Sequence, residues 1–102
     1  MRTVMVRYRV KPDRVEENKE LVRAVYAELD RTQPEGLRYA TLLLDDGVSF
    51  AHLAETADGA NPLPELAAFR RFQENIAERC DERPVVTPVQ LVGSFKLFEG
   101  PR

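Results

Sequence analysis

Three side chains in strand-like segments are the best suited to chemistry: His52, Tyr8 and Tyr39. His52 is the only histidine in the chain. Its imidazole titrates near neutral pH, which suits a general base or a group that stabilises an anion. On an extended backbone it shares a face with Val48, Phe50 and Ala54. Tyr8 and Tyr39 could join it from neighbouring strands, their hydroxyls orienting a phenolic substrate or holding the ring. The plainer alternative is a core or barrel-wall histidine whose ring nitrogens find backbone or carboxylate partners, with tyrosines that fill space and turn their tips to water. Phe50, Phe69 and Phe72 could wall a flat aromatic pocket, though aromatic residues at such spacing also serve as plain core. Arg7, Arg9, Arg38 and Glu55 read first as a buried or interfacial ion network, and second as a clamp for a substrate carboxylate.

Other chemistries find little footing. Asp45 and Asp46 are turn residues, and Asp13, Glu16 and Glu17 belong to a helix start; none has metal-ligand spacing to His52. No glycine-rich phosphate loop and no Ser-His-Asp arrangement occurs, so no metal or nucleotide cofactor is expected. The single cysteine, Cys80, has no nearby histidine or second cysteine and reads as an inert packing or surface residue at a helix end.

The elements that must position these groups alternate clearly. Residues 3–10 have period two, with Val4, Val6, Tyr8 and Val10 on one face and Met5, Arg7 and Arg9 on the other. After Lys11-Pro12, Asp13 and Glu16 form a capping-box-like start to a helix reaching about Arg31. Its apolar residues are Val15, Leu21, Val22, Val25, Tyr26 and Leu29. Residues 37–44 and 48–56 are strands joined by an Asp45-Asp46-Gly47 hairpin turn. A loop at 58–64 opens a second helix with Leu66, Phe69, Phe72 and Ile76 on one stripe, ending near Cys80. Arg83-Pro84 breaks it, and residues 85–98 form a last strand, with Pro88 arguing for an edge position or a bulge.

The order βαββαβ predicts an α+β, ferredoxin-like domain: a four-stranded antiparallel sheet with two helices on one face. All 102 residues form one domain, with room for one core but not for a deep cofactor cleft as well. The uncovered sheet face mixes Met5, Ala51 and Leu53 with Ser49, Arg7 and Glu55, too apolar for water and too polar for a private core. It is expected to meet a second copy, forming a barrel across a dimer axis. Arg7 and Glu55 would then pair on adjacent strands. A net charge of −2 gives no electrostatic reason for nucleic acid or an anionic membrane as partner. No apolar run approaches the roughly 20 residues of a membrane span. The first strand begins within three residues of the start, so no signal peptide is expected; with the lone cysteine this points to the cytoplasm.

Residues 46–52 (Asp-Gly-Val-Ser-Phe-Ala-His), 58–66 (Asp-Gly-Ala-Asn-Pro-Leu-Pro-Glu-Leu) and 92–95 (Val-Gly-Ser-Phe) carry a family likeness. The chain resembles the dimeric α+β barrel superfamily, near the antibiotic biosynthesis monooxygenase domains of bacteria. The resemblance implies a homodimer whose two sheets form a barrel, and a pocket within each subunit between sheet and helices. Relatives include oxygenases, isomerases, haem-degrading enzymes and ligand-binding modules, so the fold alone leaves the reaction open. The haem-degrading branch uses a tryptophan, an asparagine and a second-helix histidine. This chain lacks the tryptophan and the histidine, and Asn18 is the one counterpart. The cofactor-free oxygenases act on electron-rich aromatics whose own anion passes an electron to oxygen. The resemblance therefore implies a cofactor-independent monooxygenase for a small aromatic or polyketide-like substrate, or else a non-catalytic dimer of the same fold that binds a small apolar ligand or is purely structural.

Overall fold

Period-two alternation becomes β1 (Arg2–Val10), and the helical stripe becomes α1 (Val15–Thr32), in a computed structural model that describes residues 1–59 and 61–97. There follow β2 (Leu37–Leu43), β3 (Ser49–Thr56), α2 (Ala67–Gln73), α3 (Ile76–Arg79) and β4 (Cys80–Val89). The strands form one antiparallel sheet in the order β2-β3-β1-β4, the ferredoxin-like arrangement. Gly47 closes the β2–β3 hairpin at φ 77°, a conformation open to glycine, while the Asp46 carboxylate accepts the Val48 and Ser49 amides.

The helices cover one face of the sheet. On that face Tyr8, Val10 and Phe50 pack against Val15, Val22 and Val25 of α1 and against Leu66, Ala68 and Phe72 around α2. The Tyr8 and Phe50 rings stack at 5.5 Å, opposite one another in the β1–β3 register. Among the described residues nothing covers the other face, which carries Met5, Arg7, Ala40, Leu42, Ala51, Leu53 and Val85.

Four expectations need correction. First, β4 runs from Cys80 to Val89 rather than over residues 85–98. Its pairing with β1 begins at Val10↔Cys80 and ends at Thr3↔Val89, where β1 has almost no backbone left to offer. Leu91, Val92, Phe95 and Leu97 stand exposed beyond it, and Phe98 lies outside the described residues. Pro84 is therefore a strand residue, placed at a register shift, while Pro88 sits on an edge strand as its type requires. Second, the second helix is two helices: Asn75 adopts φ 59° between them, a left-handed turn that asparagine tolerates. Third, the chain enters α1 through a 3-10 turn at Pro12–Arg14, and Asp13 makes no capping bond. Fourth, Arg7 lies opposite Ala51 and Val85, whereas Glu55 lies opposite Thr3 and Arg38. Arg7 and Glu55 do not pair. The Arg38–Glu55 contact at 3.9 Å and Arg9–Glu82 at 3.3 Å are partly exposed pairs of small worth.

Phe50 lies behind Tyr8, buried to 3% exposure. Truncating it in Phe50→Ala should cost about 3–5 kcal/mol in urea unfolding. A loss well under 1 kcal/mol would mean that the ring does not pack where it is placed.

Candidate functional site

Strand register gathers the three sequence candidates. His52 on β3 lies opposite Val6 on β1 and Thr41 on β2. Tyr8 and Tyr39 are its diagonal neighbours on either side, a separation that aromatic side chains can bridge. The Tyr8 hydroxyl lies 2.7 Å from His52 Nε2, and the Tyr39 hydroxyl lies 2.7 Å from Nδ1. Thr41 Oγ1 is 3.0 Å from the same Nδ1 and 2.8 Å from the Tyr26 hydroxyl. His52 is thus held at both ring nitrogens, with Phe72 packed across it at 5.4 Å between ring centres.

The cluster continues inward through residues that alternation could not reveal. Asn18 of α1, fully buried, donates from Nδ2 to the Tyr8 oxygen at 3.0 Å. Arg79, 1% exposed, donates from Nε to Asn18 Oδ1 at 3.2 Å. Its other nitrogens donate to the carbonyls of Phe72 at 2.6 Å and Glu74 at 3.0 Å. Burial pushes the Tyr8 and Tyr39 hydroxyls well above the usual phenol range, so both stay protonated. Burial alone pulls His52 down to about 4, so its ring is neutral at physiological pH.

A cavity of about 910 Å³ lies between sheet and α2, and His52, Tyr8 and Tyr39 all line it. Its walls are mostly apolar, including Val4, Val6, Leu63, Phe69, Phe72 and Val86, and its mouth carries Arg2 and Asp58. This is the size of a small-molecule site and more space than a 102-residue domain was expected to spare. Phe69 and Phe72 stand in the wall, whereas Phe50 stands behind it, supporting Tyr8. The arginines at 7, 9 and 38 do not line this cavity, which removes the carboxylate clamp. Cys80 is buried outside it, at the start of β4, and burial raises its thiol pKa, as suits an inert residue. Among the described residues no three His, Cys, Asp or Glu side chains converge on a metal position. Among them, too, no helix is long and apolar enough to cross a membrane.

Sequence reasoning passed over Arg79, Thr41 and Tyr26, and met Asn18 only through the family likeness. One signal was present. Val15, Asn18, Val22 and Val25 follow helical spacing, and all four are buried. An asparagine in the middle of an apolar stripe marks a buried polar partner.

Solved structures share this architecture. One described as an antibiotic biosynthesis monooxygenase superposes with a TM-score of 0.72 at 22% identity, covering 91% of this chain and 100% of the other. NE2512 of Nitrosomonas europaea, of unknown function, gives 0.71 at 19% identity over 97% and 95%. Rv0793 of Mycobacterium tuberculosis gives 0.71 at 15% identity over 91% and 96%. The chain has the antibiotic biosynthesis monooxygenase-like fold. At such identities the likeness is one of fold. No family model matches the chain, and no curated protein matches it significantly.

In this monooxygenase-like fold the neutral His52 links stability to pH. An unfolded histidine titrates near 6.5 and the folded one near 4, so the unfolded chain binds the extra proton between these values. The stabilisation is complete above the unfolded value and is lost as pH falls through the folded one. Unfolding free energy should drop by roughly 2 kcal/mol between about pH 7 and pH 5. In His52→Gln that part of the slope should vanish. An identical slope in both proteins would place the proton elsewhere.

Proposed function

We propose that this protein is a homodimeric, cofactor-independent monooxygenase acting on a small aromatic or polyketide-like phenol. One observation carries the reading: a 910 Å³ apolar cavity with Tyr8, His52 and Tyr39 hydrogen-bonded together in its wall. A flat phenol fits such walls, and its oxygen finds a hydrogen-bonded polar cluster in the wall, set among Val4, Val6 and Phe72. Once ionised, an electron-rich phenol can itself reduce dioxygen. If its para carbon carries hydrogen, one oxygen atom enters there as the second quinone carbonyl. The other leaves as water with the hydroxyl proton and the para hydrogen. Substrate supplies every electron. The chain's contribution is to shape the cavity, exclude water and stabilise the anion. The described designation of a structural neighbour supports this reaction class.

The alternative is a binding module of the same fold. It is favoured by the fact that both ring nitrogens of His52 already have partners within the protein. Oxygen uptake with a fused-ring phenol separates the two. The oxygenase reading expects uptake with quinone formed one-for-one, falling 100-fold or more in His52→Ala and Tyr39→Phe. Binding of the phenol without uptake would leave the binding module.

The dimer rests on the uncovered sheet face, whose Leu42 and Val85 are 38% and 63% exposed beside Met5 and Leu53. Two such faces packed together would form a barrel and bury the area that a stable pair requires. A lone, buried, unpaired cysteine suits a cytoplasmic setting. By sedimentation the protein should be a dimer at micromolar concentration, and Leu53→Arg should convert it to monomer. A dimer unaffected by that change would move the interface to another surface.

A further inference from the structure

The hydrogen bonds of the buried cluster have a direction, and one residue sets it. A guanidinium can only donate, so the atom of Asn18 facing Arg79 must be the carbonyl oxygen Oδ1. The amide nitrogen then faces Tyr8 and can only donate to its hydroxyl oxygen. The Tyr8 hydroxyl has two side-chain partners, and since Asn18 Nδ2 cannot accept, the Tyr8 proton goes to His52 Nε2. Nε2 is therefore bare, and a neutral His52 carries its proton on Nδ1. That proton points at the hydroxyl oxygens of Tyr39 and Thr41.

We infer that Arg79 and Asn18 are positioning residues that lock His52 as the Nδ1–H tautomer, so that the relay Arg79→Asn18→Tyr8→His52→Tyr39 directs donors toward the cavity. Tyr39 accepts the Nδ1–H hydrogen bond at its oxygen, and its own O–H proton can turn from the neighbouring Thr41 hydroxyl to an acceptor in the cavity. The ligand class follows: a molecule that offers Tyr39 a hydrogen-bond-accepting oxygen, such as a phenolate or a carbonyl. Histidine in this arrangement passes polarity along and does not draw a proton from the ligand. This deepens the oxygenase reading by assigning the group that meets the substrate oxygen. The tautomer itself rests only on the buried hydrogen bonds.

Because His52 is the only histidine, its two ring nitrogens can be read without ambiguity in long-range proton–nitrogen NMR spectra of the ligand-free protein. At neutral pH the protein should show Nδ1 protonated and Nε2 bare. Asn18→Asp reverses the logic with almost no change of shape, because a carboxylate accepts from both Arg79 and Tyr8. Tyr8 would then accept from the ring, and the spectrum should shift to mainly Nε2–H. A wild-type ring protonated at Nε2 overturns the inference, as does a folded Asn18→Asp protein that keeps Nδ1–H. Should Asn18→Asp fail to fold, the wild-type tautomer alone decides. A structural role for Asn18 or Arg79 would change stability and leave the tautomer where it was. Oxygen uptake is scored separately, so an inactive protein with the Nδ1–H ring removes the oxygenase reading and keeps the relay.

Discussion

The buried guanidinium of Arg79 constrains more of this structure than any other group. A cation taken out of water costs several kcal/mol unless its donors are matched. Here the bonded partners are the carbonyls of Phe72, Glu74 and Asn18. In an unbroken helix the Phe72 carbonyl would be spent on the amide four residues later, that of Ile76. The break at Asn75 frees it. The split of the second helix and the burial of Arg79 are thus one feature seen from two sides. The negative end of the α2 dipole adds to the match, and the Phe72 ring lies 5.5 Å from the guanidinium carbon.

From that anchor, polarity runs through a region otherwise built of valine and phenylalanine. Low dielectric strengthens each bond in the chain and would penalise any unmatched one. Among the described residues no buried side-chain nitrogen or oxygen lacks a partner. The cluster joins α1, the α2–α3 break and the three strands β1, β2 and β3, so it fixes the sheet-to-helix spacing that leaves the cavity open. Rigidity of this kind lets a wall hold its donors ready before a ligand arrives.

Legibility in the sequence follows physical range. Tyr8, His52 and Tyr39 could be placed on one face because period two is a property of the backbone, and an antiparallel register then brings diagonal neighbours together. The hairpin was legible through Asp46-Gly47, whose chemistry is local. Arg79 was not, because an arginine before Cys80 looks like an ordinary solvated helix end; its burial depends on carbonyls released by the turn at Asn75, four residues earlier, which no periodic pattern announces. The continuous stripe Phe69, Phe72, Ile76 hid that turn, since Phe72 and Ile76 keep helical spacing across it. The Arg7–Glu55 pairing failed for a related reason: sharing a face says nothing of the register along it, and four residues of offset separate the two. The end of β4 likewise depends on the length of β1, a partner's property.

On the oxygenase reading, the same chain of bonds favours one of two ways of handling a phenol. Proton abstraction by His52 would require Nε2, whose lone pair already receives the Tyr8 proton. It would also ask an imidazole held at about 4 to take a proton from a phenol near 10, a gap of roughly 8 kcal/mol. Stabilising the anion asks for no such transfer inside the wall. Burial raises the pKa of Tyr39, so it keeps its proton and remains a donor even beside a phenolate. Each residue behind it already points its dipole the same way, so little reorganisation is needed when charge appears on the ligand. A cavity that lowers the energy of the anion shifts ionisation toward the ligand oxygen, and water at the mouth can carry the proton away.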